Sequence, residues 1–587
     1  MIVKMKKATI LVQDKDAKET TASLRKLGLL HIEHQTVPEG KELNLLQEEL
    51  ALVSEAETIL SMPEFSSDLV QHKQLEGDWK ITAKRIIDIY KRIDHLKEYS
   101  LRLRAQIEEW QVWGDFEPQA IKDLATAGVF VKLYRVPVRE LKEIAQNLTV
   151  VRLKTLKGVA FVATVSFTNT EIAFKELALP NIGISRIKAR LAEDGQVLEV
   201  LIKELNSLAA HRQSFLKIRI SLSKEFELES ALKGMGRENS IMFLTGYLPY
   251  DKTNILLNAA KTNSWAIFVR DPDESDNVPT LISNPRWISI INPVFKFIEI
   301  VPGYGELDIS LWFLIFFSIF FGMLIGDAGV GAIFFLLTFL AQRKFSAKVK
   351  NAKVFVLFYL LSGCAIVWGV ASGTIFGQEW LKGFVKPVFP VLQNEKFVQT
   401  LCFLIGAIHL SIAHSWRAIL KAPSIKALSD IGWILILWGG FFLAKTLVLA
   451  DAFPDFGKWL FLSGTLLVVV FSEPNRNILK AISKGLGIFA LSAVNSFTDI
   501  VSYVRLFAVG LASVAVADAF NNMAMGMWGN GFIAVVLGAF IIFIGQLLNV
   551  ILGPIAVLVH GVRLNVLEFC NHIDLKWSGF SYKPLHE

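Results

Sequence analysis

The order of apolar and polar residues divides the chain into two halves. Up to about residue 305, charged and apolar residues are mixed, whereas beyond that point runs of roughly twenty residues carry almost no charge. A run of about twenty apolar residues is long enough for one helical crossing of a bilayer. The pattern therefore predicts a soluble N-terminal domain over residues 1–305 and an α-helical membrane domain over residues 306–587.

Strand patterns and helical patterns alternate near the N-terminus. Residues 7–12 predict a strand, residues 15–27 predict a helix that ends before Gly28, and residues 29–33 predict a second strand. Further stretches with the composition of strands lie at residues 129–136, 159–165, 241–248 and 266–269. These elements predict one or two small α/β lobes, and no glycine-rich phosphate loop accompanies them.

Two long helical segments lie between these strands. Their apolar residues recur at coiled-coil spacing, namely Ile86, Ile89, Ile93, Leu96, Leu103, Ile107 and Trp110 in the first, and Leu198, Leu201, Leu205, Leu208 and Phe215 in the second. The pattern predicts an antiparallel two-helix coiled coil that joins the lobes, with an ordinary helical bundle as the alternative. A rod of this kind suits a strut better than a catalytic pocket.

The first apolar run of the membrane half, residues 309–342, contains a single charged residue, Asp327. One helix of that length would be roughly 50 Å long, whereas the hydrocarbon core is about 30 Å thick. The glycine-rich stretch 322–331 allows the chain to turn, so two short helices are predicted. The other predicted crossings are residues 354–378, 397–416, 431–450, 459–472, 485–527 and 531–570.

The charges of the loops predict how these helices are oriented. If the first run crosses twice, the basic loops after the second, fourth and sixth helices all fall on the side of the N-terminal domain. About eight transmembrane helices follow, with both termini in the cytoplasm, and no signal peptide is recognisable at the N-terminus. The last two runs are too long for perpendicular crossings, so these helices are predicted to be long and tilted.

Composition agrees with a membrane protein, because 52% of the residues are hydrophobic. The net charge of +7 is explained by the basic loops, so nucleic acid is not predicted as a partner. Cys364, Cys402 and Cys570 are scattered through the apolar half, which argues against a disulfide framework and against a thiolate metal site.

Arg505 is the most unusual residue of the membrane half. It lies near the middle of the 485–527 run, where a guanidinium is costly and cannot lose its proton. It therefore needs a carboxylate partner or water. Arg563 follows His560 by three residues, a spacing that places both on one face of the final helix.

The last two apolar runs also contain polar residues that the earlier runs mostly lack, namely Asp499, Ser502, Asp518, Asn521, Gln546, Asn549, Asn565 and Glu568. Polar side chains at membrane depth are typical of an aqueous ion path. For Asp499, Asp518 and Glu568 the alternative is that each carboxylate is bound by a neighbouring helix or lies near a helix end.

Two further sets of residues have an ordinary structural interpretation. His409 and His414 are five residues apart, about 140° around a helix, so packing or hydrogen bonding between helices is favoured over a metal site or a proton relay. Asp327 follows Gly326 at the predicted turn, where a turn or capping role is favoured over ion binding.

Several strings occur in the order found in one family, across nearly the whole chain. They are MKKATILVQDKDAKETTASLRKLGLLHIE, TGYLP, PGYGELD followed by FFGMLIGDAGVG, SFTDIVSYVRLFAVGLA and HGVRLNVLEF. On these strings the chain resembles subunit I of V-type or archaeal-type (A-type) ATP synthases, and it is similar to eukaryotic subunit a.

The resemblance implies that Arg505 is the family's essential stator arginine and that Arg563 is the second arginine. It also implies that His560 takes a position held by His or Gln in relatives, and that Glu568 matches an acidic residue just beyond the final arginine. Eukaryotic relatives carry a glutamate seven residues before the position of His560, whereas this chain has Gly553 there. The wall of the external half-channel is therefore not assigned from the resemblance.

The resemblance also implies a function. The chain is expected to be a static, non-catalytic membrane subunit of a rotary ATPase, without a cofactor or metal of its own, that forms two half-channels for H⁺ or Na⁺. Expected partners are a proteolipid ring of c or K type, peripheral stalk subunits of E and G type, a ring-adaptor subunit of C or d type, and lipid of a prokaryotic cell membrane. The residues expected to carry ions are Arg505, Arg563, His560, Glu568, Gln546, Asn549, Ser502 and Asp499.

Two other classes of protein are less favoured. A secondary ion transporter also uses charge inside the membrane, but it predicts inverted repeats between the membrane halves, and the polar chemistry here is concentrated in the last two runs. A membrane-anchored sensor would need a signalling output domain, which residues 1–305 do not resemble.

Overall fold

The computed structural model describes residues 1–65, 75, 77–143, 148–156, 158–170, 172–346, 349, 352–377, 387–474, 478–528 and 531–586. The chain divides into two compact units. The soluble unit comprises residues 9–246, 259–268 and 585–587, and the membrane unit comprises residues 1–8, 247–258 and 269–584.

The N-terminal elements begin as their apolar alternation predicts. Strand β1 (Met5–Gln13) leads to helix α1 (Ala17–Leu27) and strand β2 (His31–Glu33), and Gly28 ends α1 in the left-handed conformation that glycine adopts without steric cost. The elements that follow are α2 (Lys41–Ser61), α3 (Trp79–Trp110), α4 (Pro118–Thr126), β3 (Phe130–Pro137), β4 (Thr149–Leu156), β5 (Val159–Ser166), α5 (Ile184–Leu208), α6 (Arg212–Lys233), β6 (Gly236–Glu238), β7 (Ile241–Pro249), α7 (Thr253–Thr262) and β8 (Ala266–Arg270).

The strands form two separate sheets. Of the one or two lobes that were predicted, the structure therefore agrees with two. One sheet has the order β2-β7-β1-β8, with β6 paired to β7, and the other is an antiparallel sheet of order β3-β5-β4. The sequence patterns do not predict β4 and β6. Strand β4 leaves most of its side chains exposed, so it lacks the apolar alternation that marks a half-buried strand.

Helices α3 and α5 pack against each other in opposite directions. Arg85 near the start of α3 pairs with Glu204 near the end of α5, with 2.9 Å between Nε and Oε1. Trp110 at the end of α3 packs with Ile184 at the start of α5. The apolar cluster along this pair also contains residues of α2, which the sequence patterns did not single out as a partner. It contains Phe215 as well, which was predicted in the second segment but lies in α6, beyond the end of α5 at Leu208. The antiparallel pair is therefore present, and its description as a two-helix coiled coil stays a prediction.

The membrane unit is built from helices. They are α8 (Asn292–Phe297), α9 (Ser310–Ile325), α10 (Ala328–Phe345), α11 (Lys353–Ser372), α12 (Glu395–Lys421), α13 (Ala427–Leu449), α14 (Asp455–Phe471), α15 (Ile478–Ser502), α16 (Val504–Met525), α17 (Phe532–Ala556) and α18 (Cys570–Ile573). Two π-helical segments, Val557–Gly561 and Leu564–Phe569, continue the chain between α17 and α18.

Six helical stretches among the described residues are long and apolar enough to cross a membrane. They are Ala328–Phe345, Lys353–Ser372, Glu395–Lys421, Ala427–Leu449, Ile482–Met525 and Phe532–Ile573. Helices α9 and α14 are apolar but shorter, with 16 and 17 residues. The predicted count of eight crossings, which includes both short helices, stays a prediction.

The predicted break in the first apolar run lies at Gly326 and Asp327. Gly326 ends α9 with a φ of 68°, and Asp327 caps α10 because its Oδ1 accepts hydrogen bonds from the backbone N–H groups of Gly329 (2.7 Å) and Val330 (3.1 Å). The turn and the capping role of Asp327 are therefore confirmed.

Helix α9 lies at the centre of the membrane unit. Most of its residues are buried, and its phenylalanines belong to a cluster that also contains residues of α11, α12, α13 and the junction between α15 and α16. A helix that is apolar on all sides is buried by its neighbours rather than by one surface. This packing holds the α15–α16 junction, which carries Arg505, in a fixed place.

Candidate functional site

Arg505 follows a break between two helices. Tyr503 alone separates α15 from α16. The backbone N–H of Tyr503 donates to the carbonyl of Ile500, and that of Leu506 donates to the carbonyl of Tyr503. Both hydrogen bonds join residues three apart, as in a 3₁₀-helix, which is narrower than an α-helix. The Arg505 side chain therefore leaves the first turn of α16, just beyond the break.

Arg563 and Glu568 are brought together by the π-helical part of the chain. In a regular α-helix, residues five apart point about 140° away from each other. The hydrogen bonds of a π-helix join residues five apart and bring them near one face. Glu568 lies inside the second π-helical segment and Arg563 directly precedes it, with 3.3 Å between Nε and Oε1.

Glu568 is shared between the two arginines. Its Oε1 also lies 3.8 Å from Nη1 of Arg505. The side chain of Glu568 is 3% exposed, that of Arg505 is 21% exposed, and that of Arg563 is 53% exposed. Glu568 is therefore near Arg505, because the π-helical turn carries it to a face that α-helical spacing would not give it, but no hydrogen bond joins the two among the described residues. The sequence-based expectation that no internal carboxylate is clearly committed to Arg505, and that its partner lies on another subunit, stays a prediction.

The hydrogen-bonding capacity of this Arg505 cluster, defined as Arg505, Arg563 and Glu568, is largely unused. Within the part of the chain that the structure describes, neither carboxylate oxygen of Glu568 has a hydrogen-bond partner, nor does Nη1 of Arg505. Buried charges are usually both paired and hydrogen-bonded. The cluster can therefore accept a further polar group.

His560 lies near the same charges. Its side chain is half-buried, and the positive charges of Arg505 and Arg563 both act on its imidazole. The predicted common face of His560 and Arg563 stays a prediction, because His560 lies in a π-helical segment and not in a regular α-helix.

A second buried charge cluster, the Asp430 cluster, joins α12 and α13. Asp430 is fully buried; its Oδ1 accepts a hydrogen bond from Nε of Arg417 (2.5 Å), and its Oδ2 accepts one from Nζ of Lys421 (2.7 Å). Nδ1 of His414 lies 3.3 Å from Oδ1 of the same carboxylate. Each oxygen of Asp430 therefore has a partner.

His414 extends this cluster towards α15. Its Nε2 lies 2.8 Å from Nδ1 of His572, and Nε2 of His572 lies 3.1 Å from Oδ2 of Asp499. Hydrogen bonding between helices, as predicted for His414, is confirmed. Asp499 has a partner outside its own helix, and together with His414, His572, Asn495 and Ser496 it lines a cavity of about 580 Å³.

Another cavity, of about 460 Å³, lies toward the opposite end of α12. Val398 of α12 and Leu506 and Gly510 of α16 line it. Val398 and His414 are sixteen residues apart on one helix, which separates the two cavities by roughly 24 Å along its axis. The last turns of α15 line the first cavity and the first turns of α16 line the second, so Arg505 lies in the chain between the two linings.

Gln546 and Asn521 lie at a turn formed by Phe376 and Gly377. Both side-chain amides donate hydrogen bonds to the carbonyl of Phe376, at 3.0 Å and 2.7 Å, and Oδ2 of Asp327 accepts one from the N–H of Gly377 at 3.0 Å. The structure therefore brings Gln546 to this turn and not into the Arg505 cluster.

The other polar residues of the last two runs have local partners. Asn549 accepts a hydrogen bond from the hydroxyl of Ser513, which links α17 to α16. Ser502 and Asp518 hydrogen-bond within their own helices, and the amide of Asn565 donates to the carbonyl of Gly561 in the preceding π-helical segment.

Comparison with known proteins identifies the family. The chain is similar to V-type ATP synthase subunit I of Borreliella burgdorferi, at 31% identity over all of this chain and 99% of that protein. The chain belongs to the family of V-type ATP synthase subunits I. A V-type ATP synthase subunit I 1 of Treponema pallidum is 28% identical over the whole of both chains. No family model matches the chain.

A solved structure of the cytoplasmic N-terminal domain of subunit I, a homolog of subunit a of V-ATPase, covers 45% of this chain at 15% identity, with a TM-score of 0.23. Membership of the subunit I family rests on the sequence relatives and confirms the resemblance drawn from the five strings. It makes the chain a membrane subunit of an ATP synthase, in agreement with the six membrane-length helical stretches found among the described residues.

The Asp430 cluster of this subunit I was not predicted from the sequence. Asp430 stands one residue before the predicted crossing 431–450, and His572 lies two residues beyond the last predicted crossing 531–570, so neither belongs to a predicted membrane segment. The sequence did contain a signal for this cluster: Asp430 follows the basic residues Arg417 and Lys421 by thirteen and nine positions, across the loop between two predicted crossings. Within the described ranges, no three His, Cys, Asp or Glu side chains form a group that could hold a metal ion.

Proposed function

We propose that this subunit I is the static membrane part of a rotary ATPase and transfers H⁺ or Na⁺ between two half-channels and a ring of proteolipid subunits. The Arg505 cluster is the observation that carries the proposal. Arg505 and Glu568 stand 3.8 Å apart with unused hydrogen-bonding groups among the described residues. A guanidinium in this state can bind a second carboxylate that arrives on another subunit.

The two cavities support two separate half-channels. The cavity at His414 and Asp499 is assigned to the cytoplasmic side, because Arg417 and Lys421 end α12 there and basic residues favour the cytoplasm. The cavity at Val398 is assigned to the external side. Ions that cross from one cavity to the other must then travel on the ring.

Electrostatics explains how Arg505 would act on the ring. A cation within a few ångströms lowers the pKa of a carboxylate, whereas desolvation raises it. A ring carboxylate that reaches Arg505 therefore releases its ion into one half-channel, and it binds another ion from the second half-channel before it returns. The fixed charge of Arg505 also repels cations, which prevents a direct leak between the cavities.

The neighbours of Arg505 have supporting parts in this scheme. Glu568 neutralises Arg505 between successive ring carboxylates, and Arg563 holds Glu568 in place. His560, three residues before Arg563, is proposed to face the path of the ring. The other residues proposed for the ion path are Asp499 and Ser502 on the cytoplasmic side, and Gln546 and Asn549 on the external side.

The membrane potential sets how many ions the scheme needs. One elementary charge that crosses 100 mV gains about 2.3 kcal/mol. Several ions must therefore pass for each ATP, which a ring with many carboxylates provides. The sites that hydrolyse or synthesise ATP lie on other subunits, and this subunit is not itself an enzyme.

The N-terminal part is proposed to act as a strut. Residues 1–305 form a cytoplasmic domain, and residues 306–587 cross the cell membrane eight times with both termini in the cytoplasm. The antiparallel α3–α5 pair is the observation that supports a mechanical role for this domain, because two helices in continuous apolar contact resist bending. The proposed partners of this domain are peripheral stalk subunits of E and G type and a ring-adaptor subunit of C or d type.

Arg505→Ala in the assembled complex, reconstituted into vesicles, tests the proposal. ATP-driven ion uptake is expected to be lost while ATP hydrolysis continues, and Arg505→Lys is expected to fail as well because an ammonium is a hydrated point charge that can lose its proton. Arg343→Ala is the control, since Arg343 lies in the last turn of α10 and stacks on Phe339. Ion uptake by the Arg505→Ala complex at the level of the Arg343→Ala complex would contradict the proposal.

A further inference from the structure

His409, near the middle of α12, is fully buried between two aromatic rings. Its ring stacks on that of Phe316 of α9, with 3.8 Å between centroids, and on that of Phe569, with 4.3 Å. Its Nδ1 lies 2.8 Å from the hydroxyl oxygen of Tyr503, which confirms the predicted hydrogen bonding between helices. Its Nε2 has no hydrogen-bond partner among the described residues, so Tyr503 is its single polar anchor there.

Both of these contacts adjoin the Arg505 cluster in the chain. Tyr503 forms the break before α16 and precedes Arg505 by two residues, and Phe569 directly follows Glu568. Any shift of Tyr503 moves the start of α16, and any shift of Phe569 moves the π-helical segment. One imidazole therefore contacts both elements that carry the charges standing 3.8 Å apart.

The approach of Tyr503 to α12 depends on a glycine. A Cβ atom at Gly406 would stand 2.7 Å from Cγ and Cδ2 of Tyr503, which is closer than atoms can pack. Phe320 of α9 packs edge-on against both Tyr503 and His409, with centroid distances of 6.0 Å and 5.7 Å. The hydrogen bond is therefore enclosed by side chains that leave neither ring room to move.

We infer that His409 and Tyr503 are positioning residues, which set the separation of Arg505 and Glu568 by fixing the α15–α16 break and the π-helical segment against α12. Neither residue needs to touch the ion. The inference rests on the proposed ion-transfer function. It adds which residues keep the side chains of Arg505 and Glu568 at their observed separation.

Tyr503→Phe tests the inference, because it removes the hydroxyl and retains the buried ring. Loss of one buried hydrogen bond is expected to lower the number of ions taken up per ATP hydrolysed by about fivefold in the reconstituted complex. Tyr359→Phe is the matched control, since the Tyr359 hydroxyl donates to Oε1 of Gln342 (2.7 Å) on neighbouring helices. His409→Phe, which retains the aromatic stack, should lower the ratio as Tyr503→Phe does, and the double variant should be no worse than either single one.

The outcomes separate the inference from the function on which it rests. If Arg505→Ala abolishes uptake but Tyr503→Phe and His409→Phe behave like Tyr359→Phe, the positioning inference is wrong and the function stands. If Tyr503→Phe reduces the amount of assembled complex without changing ions per ATP, the pair serves only stability and the inference is again wrong. Gly406→Ala, which must displace Tyr503, should lower ions per ATP in whatever complex assembles, and an unchanged ratio there would also overturn the inference.

Discussion

The membrane unit contains two buried clusters of opposite charges that differ in how completely they are bonded. At Asp430, both carboxylate oxygens accept hydrogen bonds from Arg417 and Lys421 at 2.5–2.7 Å. At Glu568, the nearest cations stand at 3.3 Å and 3.8 Å, and neither oxygen has a hydrogen bond among the described residues. A buried carboxylate near two basic side chains thus forms a fully hydrogen-bonded cluster at Asp430 and a cluster with unused hydrogen-bonding groups at Glu568.

The difference teaches where stability and function reside. A buried carboxylate with several short hydrogen bonds is strongly committed to its partners, and removal of one member leaves uncompensated charge. A carboxylate with long contacts and unused oxygens can exchange partners at little cost. We therefore expect the Asp430 cluster to stabilise the fold and the Arg505 cluster to act on a moving partner.

Asp430→Ala is the most direct attempt to break the comparison. Loss of the carboxylate leaves Arg417 and Lys421 unpaired, which is expected to destabilise the protein by about 3–5 kcal/mol. Unfolding of the detergent-solubilised subunit by denaturant measures the change. Asp451→Ala is the control, because Asp451 pairs with Lys445 at 3.2 Å on the surface and its removal should cost below about 1 kcal/mol. Equal losses from the two variants would show that the Asp430 cluster is not structural.

Asp327→Ala gives an intermediate case, because the hydrogen bonds that this buried carboxylate accepts from described residues come from backbone groups. Three N–H groups lose their acceptor, those of Gly329, Val330 and Gly377, and the expected loss is about 2 kcal/mol. The same unfolding experiment measures it. Asn394→Ala removes an exposed cap from α12 and should have a smaller effect. If Asp327→Ala lowers the free energy of unfolding more than Asp430→Ala does, the Asp430 cluster is not the more stabilising of the two.

Glu568→Gln should have the smallest effect on stability and a clear effect on transport. No hydrogen bond is lost among the described residues, and half-exposed Arg563 remains solvated, so the expected destabilisation is below about 1 kcal/mol. Ions taken up per ATP should fall, because Arg505 loses its internal counter-charge. Glu473→Gln, which removes an exposed partner of Lys484, should change neither quantity. Strong destabilisation with normal transport would mean that the two clusters have the opposite roles.

Features that follow from the free-energy cost of placing a charged side chain inside an apolar run could be predicted from the sequence. A guanidinium in an apolar run is expensive wherever its partners are, so Arg505 could be singled out without a structure. The Gly326–Asp327 turn could be predicted as well, since a long apolar run with a glycine-rich break has few alternatives.

The sequence did not predict parts that depend on departures from regular geometry or on distant pairing. The proximity of Arg563 and Glu568 requires a π-helical turn, which residue types do not specify. His572 meets His414 across 158 positions of the chain, and no periodicity indicates such a contact. In the soluble unit, the role of α2 in the α3–α5 core was missed, because apolar spacing alone does not show which helix packs against which.

The π-helical turn makes the site sensitive to the number of residues as well as to their chemistry. A loop can absorb an inserted or deleted residue, but in a helix such a change rotates everything beyond it, by about 100° per residue where the helix is α-helical. Loss of any one residue between Arg563 and Glu568 would preserve both charges and still turn them to different faces. In this subunit, the number of residues between Arg563 and Glu568 is therefore constrained as well as their identity.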